Sequence, residues 1–555
     1  MIIRNLISNS LAELIERSKI NGLIPSDTQI TFTVERPQNP EHGDFATNIP
    51  LKLAGLLKRS PVDIANQLLP LIPSQDYLGS IWVQPPGFIN FSLDPSWLTS
   101  QVDTILESGE SYGKVNFGNG QRVQIEFVSV NPTGPVHVGH TRGAVLGDAL
   151  GRILDFAGYN VTREYYVNDT GNQMENFYKS LYVRYKQHLG HLTEMPAGGY
   201  MGKYMLDIAR DIAEQNPNLL DLDEEEAIDH IGSIGLNKML TVIEKDLKRL
   251  NIQFDVWFRE YTLHRDGHIE NVLDLLREGN NLSIKDAATW FTSSSLGEDK
   301  DNVLIRSNGS PTYFAADIAY HYDKFIGREF SKVIDIWGAD HQGHVSRMKT
   351  ALGALGINPD KLVIILAQLV TLKMNNQLLK VSKRSGDLIT LPELIDEVGP
   401  DACRYFFMSR SPDSQMEFDL ELAKRESSEN PVYYIQYAHA RIASIIRLST
   451  EAKIDHASGN VNLLSHPSEI DLIKKMIALP ELIESIAINL EPHHLAHYSQ
   501  QLATAFHWFY QQCRVMSNDP SDYELTKARL KLVRSSGVVL GRCLALMGME
   551  APEQM

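Results

Sequence analysis

Apolar residues along the chain fall into distinct rhythms. At the start, Leu6, Leu11, Leu14 and Ile15 share one helical face, and Ile30–Val34 reads as a strand. The turn-rich stretches Gly43–Asn48 and Pro85–Phe91 break up what remains. This predicts an α+β unit over residues 1–105, with Gly113–Gly120 as the linker out of it. From Arg122 onward, strand-like and helix-like stretches alternate, the pattern of a parallel sheet with crossover helices. The expectation is an α/β unit over residues 118–395 built on a parallel sheet. Arg122–Val128 is its first strand, an apolar helix follows, and Val303–Arg306, Val333–Trp337 and Leu362–Val370 are later strands. Residues 175–300 interrupt the alternation with long, acidic helical segments such as Asp221–Glu226, and read as an insertion between two halves. Leu362–Val370, broken by Gln368, is too short to span a bilayer and reads as a buried parallel strand.

The rhythm then becomes helical. Asp401–Tyr405 opens a helical connector over residues 396–430, and residues 431–555 read as an all-α bundle. Tyr433, Ile435, Ala438, Ile442, Ile445 and Ile446 have core spacing. Tyr434, Tyr437, Trp508 and Tyr510 suit either core packing or stacking on unpaired bases.

Length and composition narrow the class. A chain of 555 residues suggests several domains with large cores, and 22% charged residues is the usage of a globular, non-membrane protein. Cys403, Cys513 and Cys543 are odd in number and far apart, which excludes a disulfide framework or a zinc spacing and fits a reducing cytoplasm. Met1–Asn5 leads into an amphipathic pattern rather than a signal peptide's apolar core. The net charge of −17 disfavours a partner held by diffuse positive potential, although local basic clusters remain open to nucleic acid. Leu525–Met549 is such a cluster: Lys527, Arg529, Lys531, Arg534 and Arg542 with no acidic residue. It reads either as a nucleic-acid face or as a solvated helix face.

The chemistry concentrates in two segments. His137-Val138-Gly139-His140 sits between the first strand of the α/β unit and the following helix. A helix N-terminus offers free N–H groups and the positive end of a dipole to a polyphosphate. Two imidazoles add donors for charge developing at phosphorus, and the glycine lets a flat base approach the backbone. Gly139, Gly143, Gly147 and Gly151 then recur every fourth residue, which predicts one flat helix face. Its early glycines would face ligand and its later ones the strands. The second segment, Lys380-Val381-Ser382-Lys383, lies between Asn375-Asn376 and Gly386-Asp387 and reads as a loop whose two lysines close over phosphates.

Together these segments resemble the two signatures of class I aminoacyl-tRNA synthetases, with Val381 where methionine usually stands. Glu126–Pro135, Arg163–Gln173, Tyr313–Tyr320, Trp337–His344 and Glu550–Met555 extend the resemblance to arginyl-tRNA synthetases over nearly the whole chain. That resemblance implies that the α/β unit is a doubly wound, Rossmann-like parallel sheet, and it implies ATP binding by His137, Gly139, His140, Lys380, Ser382 and Lys383, with His137, His140, Lys380 and Lys383 catalytic. It implies guanidinium recognition by Glu126, Tyr313 and Asp317. Ser129, Asn131 and His140 would meet the amino acid's α-amino and carboxylate groups, with His341 or Gln342 adding a contact whose register stays open. Chemistry independently favours carboxylates and aromatic or hydroxyl neighbours around a guanidinium, and Tyr313 and Asp317 share a helix face; a purely structural pair is the other reading.

The resemblance further implies L-arginine, ATP carried with Mg2+, and tRNA as substrates. It implies no tightly bound cofactor, no metal held by protein ligands, no membrane, a monomer and a cytoplasmic location. The N-terminal unit would contact the outer corner of the tRNA, the C-terminal bundle its anticodon, and Lys527, Arg529 and Arg534 its phosphates. No Gly-x-x-x-x-Gly-Lys-Ser/Thr loop is present, which disfavours kinase or ATPase chemistry. A nucleotidyltransferase that uses no tRNA and a silent RNA-binding paralogue are the rival readings. The separate N-terminal and C-terminal units oppose the first, and the two intact signatures oppose the second.

Overall fold

The computed structural model describes residues 2–374, 377–379 and 389–555. Its first unit packs the helix Ile3–Ile20 against a four-stranded antiparallel sheet ordered Val34–Glu35, Phe45–Thr47, Phe88–Leu93, Leu78–Gln84. The strand expected at Ile30–Val34 shrinks to Val34–Glu35, because the Thr33 N–H donates to the Asn48 side chain (3.0 Å) rather than to a ladder. Helix Pro95–Ser108 leads out, started by Asp94, whose carboxylate accepts from Trp97 N, and by Pro95 at its first position.

Five parallel strands form the central sheet. Their spatial order is Leu362–Ala367, Lys332–Gly338, Arg122–Glu126, Asn160–Val167, Val256–Arg259. Numbered along the chain, that is 5-4-1-2-3, so winding reverses between Arg122–Glu126 and Lys332–Gly338. Ligands of such sheets bind outside the carboxyl ends of the strands at this switch. The stretch read as an insertion therefore departs from expectation: Val256–Arg259 lies within residues 175–300 yet joins the sheet beside Asn160–Val167, Trp257 stacked on Tyr165 with centroids 4.4 Å apart. Ahead of it, helices Asn172–His188, Lys203–Gln215 and Glu224–Arg249 pack on one another.

Two other strands also differ from expectation. Asn302–Ile305 belongs to a separate antiparallel sheet with Leu282–Lys285 and Ala288–Phe291, not to the parallel one. Leu362–Ala367 is an edge strand, half-buried beyond Leu362, and stops before Gln368, whose N–H turns to the Pro412 carbonyl (2.9 Å). Val370–Met374 then starts a small sheet with Gln377–Leu379 and Met416–Asp419.

The remainder is helical. Pro431–Glu451, Pro467–Met476, Leu479–Asn489, His493–Gln512 and Tyr523–Met547 pack together, and the last also touches Pro95–Ser108 and the helix Val138–Phe156. It ends at Gly548, with a φ of 73° that favours glycine. Ile435, Ala438, Ile442 and Ile445 are buried as their spacing predicts, whereas Trp508 and Tyr510 are exposed and serve no core. Tyr434 and Tyr437 both lie against the His507 ring.

One buried arginine joins these parts. Arg404, in the helix Pro400–Met408, donates to the Asp148 carboxylate of Val138–Phe156, to the Leu250 carbonyl (2.6 Å) and to the Met547 carbonyl. No described helix is long and apolar enough to cross a membrane.

Candidate active site

The site starts from the turn that follows Arg122–Glu126. Ser129 N–H donates to Phe127 O (3.0 Å), closing a three-residue turn about Val128, whose φ is 69°; Ser129 follows at 40°. A β-branched residue resists that conformation, so the surroundings must hold it. Ser129 does so through its hydroxyl, which donates to Glu126 Oε1 (3.0 Å) and accepts from Tyr166 N (3.1 Å).

His137 caps the helix Val138–Phe156, its Nδ1 accepting from Gly139 N (3.1 Å), and its ring lies 3.7 Å, centroid to centroid, from that of His140. A Cβ on Gly139 would stand 2.9 Å from the His137 ring, so the folded imidazole itself requires glycine there. Gly143 has room for a Cβ at ordinary contact with Ile336, whereas one on Gly147 would stand 2.2 Å from the Phe127 ring. The helix face is thus open at Gly143 and closed at Gly147 by Phe127, just beyond the first strand of the sheet. Segment Ile389–Leu391 hydrogen-bonds to this region, Val138 N to Ile389 O (3.1 Å) and Leu391 N to Val136 O (2.8 Å). Lys380, Ser382 and Lys383 lie outside the described residues.

Carboxylates gather where helix Tyr313–Tyr322 packs on the sheet. Asp317, on helix Tyr313–Tyr322, is half-buried; burial, opposed by His321 and reinforced by Glu260 and Glu126, pushes its carboxyl up to about 6. Glu260, at the end of Val256–Arg259, is 3% exposed, and burial raises its pKa as well. Tyr313 is exposed, its hydroxyl against Gly171, where a Cβ would come within 3.0 Å. Glu126 is already engaged: the buried Lys324 ammonium donates to its Oε2 (2.7 Å) and to Asp335 Oδ1 (2.9 Å). The sequence gives no sign of this internal cation beside Glu126. His321 joins Asp335 Oδ2 (2.8 Å) to the Asp317 carbonyl (2.7 Å).

The remaining predicted residues sit at the rim. Asn131 Nδ2 donates to Gln173 Oε1 (2.6 Å), and His341 and Gln342 are both exposed where Lys332–Gly338 runs into helix Gln342–Ala354. Glu260, Lys324, Asp335, His321 and Gln173 carry no role in the sequence reading. Glu260 has one visible signal, an acid closing an apolar strand, hidden by its place inside the supposed insertion.

Three cations of the basic cluster are paired with carboxylates of the protein itself. Arg529 pairs with Glu469 (2.7 Å), itself 1% exposed; Lys527 pairs with Glu524 (2.8 Å) and Lys531 with Asp103 (2.8 Å). Of Lys527, Arg529 and Arg534, only Arg534 is exposed, donating to His456 Nε2 (3.1 Å).

Three family profiles together match almost the whole chain. They are "Arginyl tRNA synthetase N terminal domain" over residues 1–93, "tRNA synthetases class I (R), catalytic domain" over 101–441, and "DALR anticodon binding domain" over 435–555. A protein of Dehalococcoides mccartyi named arginine–tRNA ligase is 50% identical over 556 aligned positions, covering 100% of this chain and 99% of the relative. One of the same name from Carboxydothermus hydrogenoformans is 46% identical, covering 99% of each. A solved structure from Campylobacter jejuni, 33% identical, superposes with a TM-score of 0.76 over 83% of this chain and 100% of that one. The Thermus thermophilus arginyl-tRNA synthetase structure, at 22% identity, shares the fold with the same TM-score over 99% of this chain and 100% of its own.

Proposed function

This chain belongs to the arginyl-tRNA synthetases, and on that footing we propose how its residues divide the reaction. The protein joins arginine to tRNA at the expense of ATP, and its C-terminal bundle is an anticodon-binding domain.

In the first step the arginine carboxylate attacks the α-phosphorus of ATP in line, forming a C–O–P linkage and expelling pyrophosphate. The ATP arrives as its Mg2+ complex, the ion held mainly by phosphate and water. In the second step the terminal ribose hydroxyl of tRNA attacks the activated carbonyl, and AMP leaves. Side chains position and stabilise charge rather than form bonds. His137 and His140 stabilise the charge gathering at phosphorus over the N-terminus of Val138–Phe156, with Gly139 admitting the nucleotide. Lys380 and Lys383 close on the leaving phosphates, with Ser382 between them. The anchoring of Ile389–Leu391 to Val136–Val138 supports this, because it ties the chain just beyond the lysine segment to the histidine segment.

The observation that supports the amino-acid assignment is that Glu260 and Glu126 lie close enough to half-buried Asp317 to act on its carboxyl electrostatically. Asp317 takes the guanidinium, Tyr313 covers it, and Glu126 lies beneath. Ser129, Asn131 and His140 meet the α-amino and carboxylate ends, and His341 or Gln342 reaches the same end from the opposite strand. A pocket built around a cation rejects citrulline without a second, hydrolytic site, because its buried carboxylates would be left unpaired.

Arg534 is the cation of its helix best placed for a tRNA phosphate, Lys527 and Arg529 being spent on neighbouring carboxylates. Exposed Trp508 and Tyr510 offer stacking surfaces. We assign residues 1–105 to the outer corner of the tRNA, 118–395 to catalysis, 396–430 to the connector and 431–555 to the anticodon. The protein acts as a cytoplasmic monomer. ATP–pyrophosphate exchange driven by each amino acid in turn, with and without tRNA, tests the assignment. Arginine alone should drive it, and exchange driven equally by lysine or citrulline would overturn the pocket.

A further inference from the structure

A lysine at the floor of a pocket for a cation calls for an explanation. Lys324 is 0% exposed, in the turn just after helix Tyr313–Tyr322. Its ammonium reaches Glu126 Oε2 at 2.7 Å and Asp335 Oδ1 at 2.9 Å, with the Tyr320 ring 4.1 Å away. Burial opposes its charge, but Asp335, Glu126 and Glu164 outweigh that and hold it protonated. Fold stability alone needs no such group, since a buried pair is often matched by apolar residues of equal volume.

The position of Glu126 supplies the reason. Its other oxygen accepts from Ser129, whose backbone is held at positive φ, so both carboxylate oxygens are tethered and the carboxylate plane is fixed. Its charge is shared with an internal cation. Asp317 is then the carboxylate left to answer an incoming guanidinium, with Glu260, itself held by Thr170, Tyr166 and His264 (3.8 Å), beside it; burial raises the pKa of both.

We propose that Lys324 is a positioning residue for arginine selection, an internal cation that fixes Glu126 in place and reserves the neighbouring carboxylates for the substrate. This rests on the pocket assignment given above. Without the ammonium, one oxygen of Glu126 loses its tether, and the guanidinium meets a carboxylate whose plane is no longer fixed. Lys324 touches neither ATP nor the reacting atoms, so the defect should fall on arginine binding.

The experiment measures arginine and ATP dependence of pyrophosphate exchange for Lys324→Gln and for Lys324→Met combined with Asp335→Asn. The double variant removes both buried charges together and keeps the test available if the single one does not fold. A rise of about tenfold or more in arginine KM is expected, with ATP KM and kcat within about twofold of the parent, the signature of lost substrate binding. An unchanged arginine KM in a folded variant overturns the proposal, and so does an equal rise in both KM values, which marks a general structural defect. Asp317→Asn run in parallel separates the two ideas. If it also leaves arginine KM unchanged, the pocket itself is misassigned; if it alone raises arginine KM, only the role of Lys324 fails.

Discussion

Asp317→Asn keeps the shape of the pocket and deletes one charge. In the folded protein the carboxyl is pushed from its ordinary 3.8 up to about 6. A pKa change of one is worth about 1.4 kcal/mol, so the ionised form carries roughly 3 kcal/mol of unrelieved burial. A guanidinium relieves it. Asparagine cannot supply that pairing, and losing one partner of a buried ion pair costs about 3–5 kcal/mol. Arginine kcat/KM should therefore fall by roughly two to three and a half orders of magnitude, with ATP KM preserved. The parent's kcat/KM for arginine should decline as pH drops through about 6, where Asp317 takes up a proton, and this limb should vanish in the variant. Stability should move the other way. The folded pKa lies above the unfolded value of about 3.9, so the folded state binds the extra proton, and the parent melted without arginine loses stability as pH rises from about 4 to 6. The variant lacks that loss and should melt higher at neutral pH. Pyrophosphate exchange and thermal melts across pH 5–8 check both signs. An asparagine variant that activates arginine like the parent would refute the reasoning, leaving Glu126 and Glu260 to carry recognition.

Tyr313→Phe should cost less, about 1–3 kcal/mol in arginine activation, if its hydroxyl makes one hydrogen bond to a charged partner; an unchanged kcat/KM removes Tyr313 from the pocket. Lys383→Ala should slow single-turnover adenylate formation with little change in arginine affinity, and a loss of arginine binding at unchanged turnover would reassign the loop. Arg534→Gln should weaken tRNA binding and reduce the salt slope by roughly one counterion, measured by titration at several salt concentrations. Arg529→Gln, by stranding the buried Glu469, should instead lower stability by on the order of 3 kcal/mol in denaturant melts.

The contrast between those two arginines explains where sequence reading succeeds. Local periodicity exposes the glycine stripe from Gly139 to Gly151, because a repeat of four puts those positions on one face whatever packs there. It cannot tell that Gly147 meets Phe127 while Gly143 has space, since that depends on a strand from outside the helix. Charge behaves likewise. Arg529 and Arg534 are equivalent in sequence, but Glu469 lies 60 residues from Arg529 along the chain, and only folding brings the pair together. Lys324 in a helical run resembles any surface lysine until Glu126 and Asp335 arrive from two strands. Glu260 is masked by Val256–Arg259, a strand too short to stand out among long helices. The family resemblance brings Asp317 and Tyr313 forward, and the raised carboxyl of Asp317 is a property only the assembled pocket has.

Arg404 carries a consequence for how the chain is made. Its acceptors are the carboxylate of Asp148, the carbonyl of Leu250 and the carbonyl of Met547, and the last is 143 residues further along. At roughly 5–20 residues per second, a ribosome takes about 7–30 s to cover that distance. Through that interval the guanidinium lacks the last of its three acceptors, and the apolar surface that Tyr523–Met547 will cover on Val138–Phe156 stays open to solvent and to neighbouring nascent chains. The interior of the nucleotide-binding unit thus closes only when the final helix emerges. A premature stop a dozen residues early would remove about 2% of the length and with it the Met547 carbonyl that Arg404 needs.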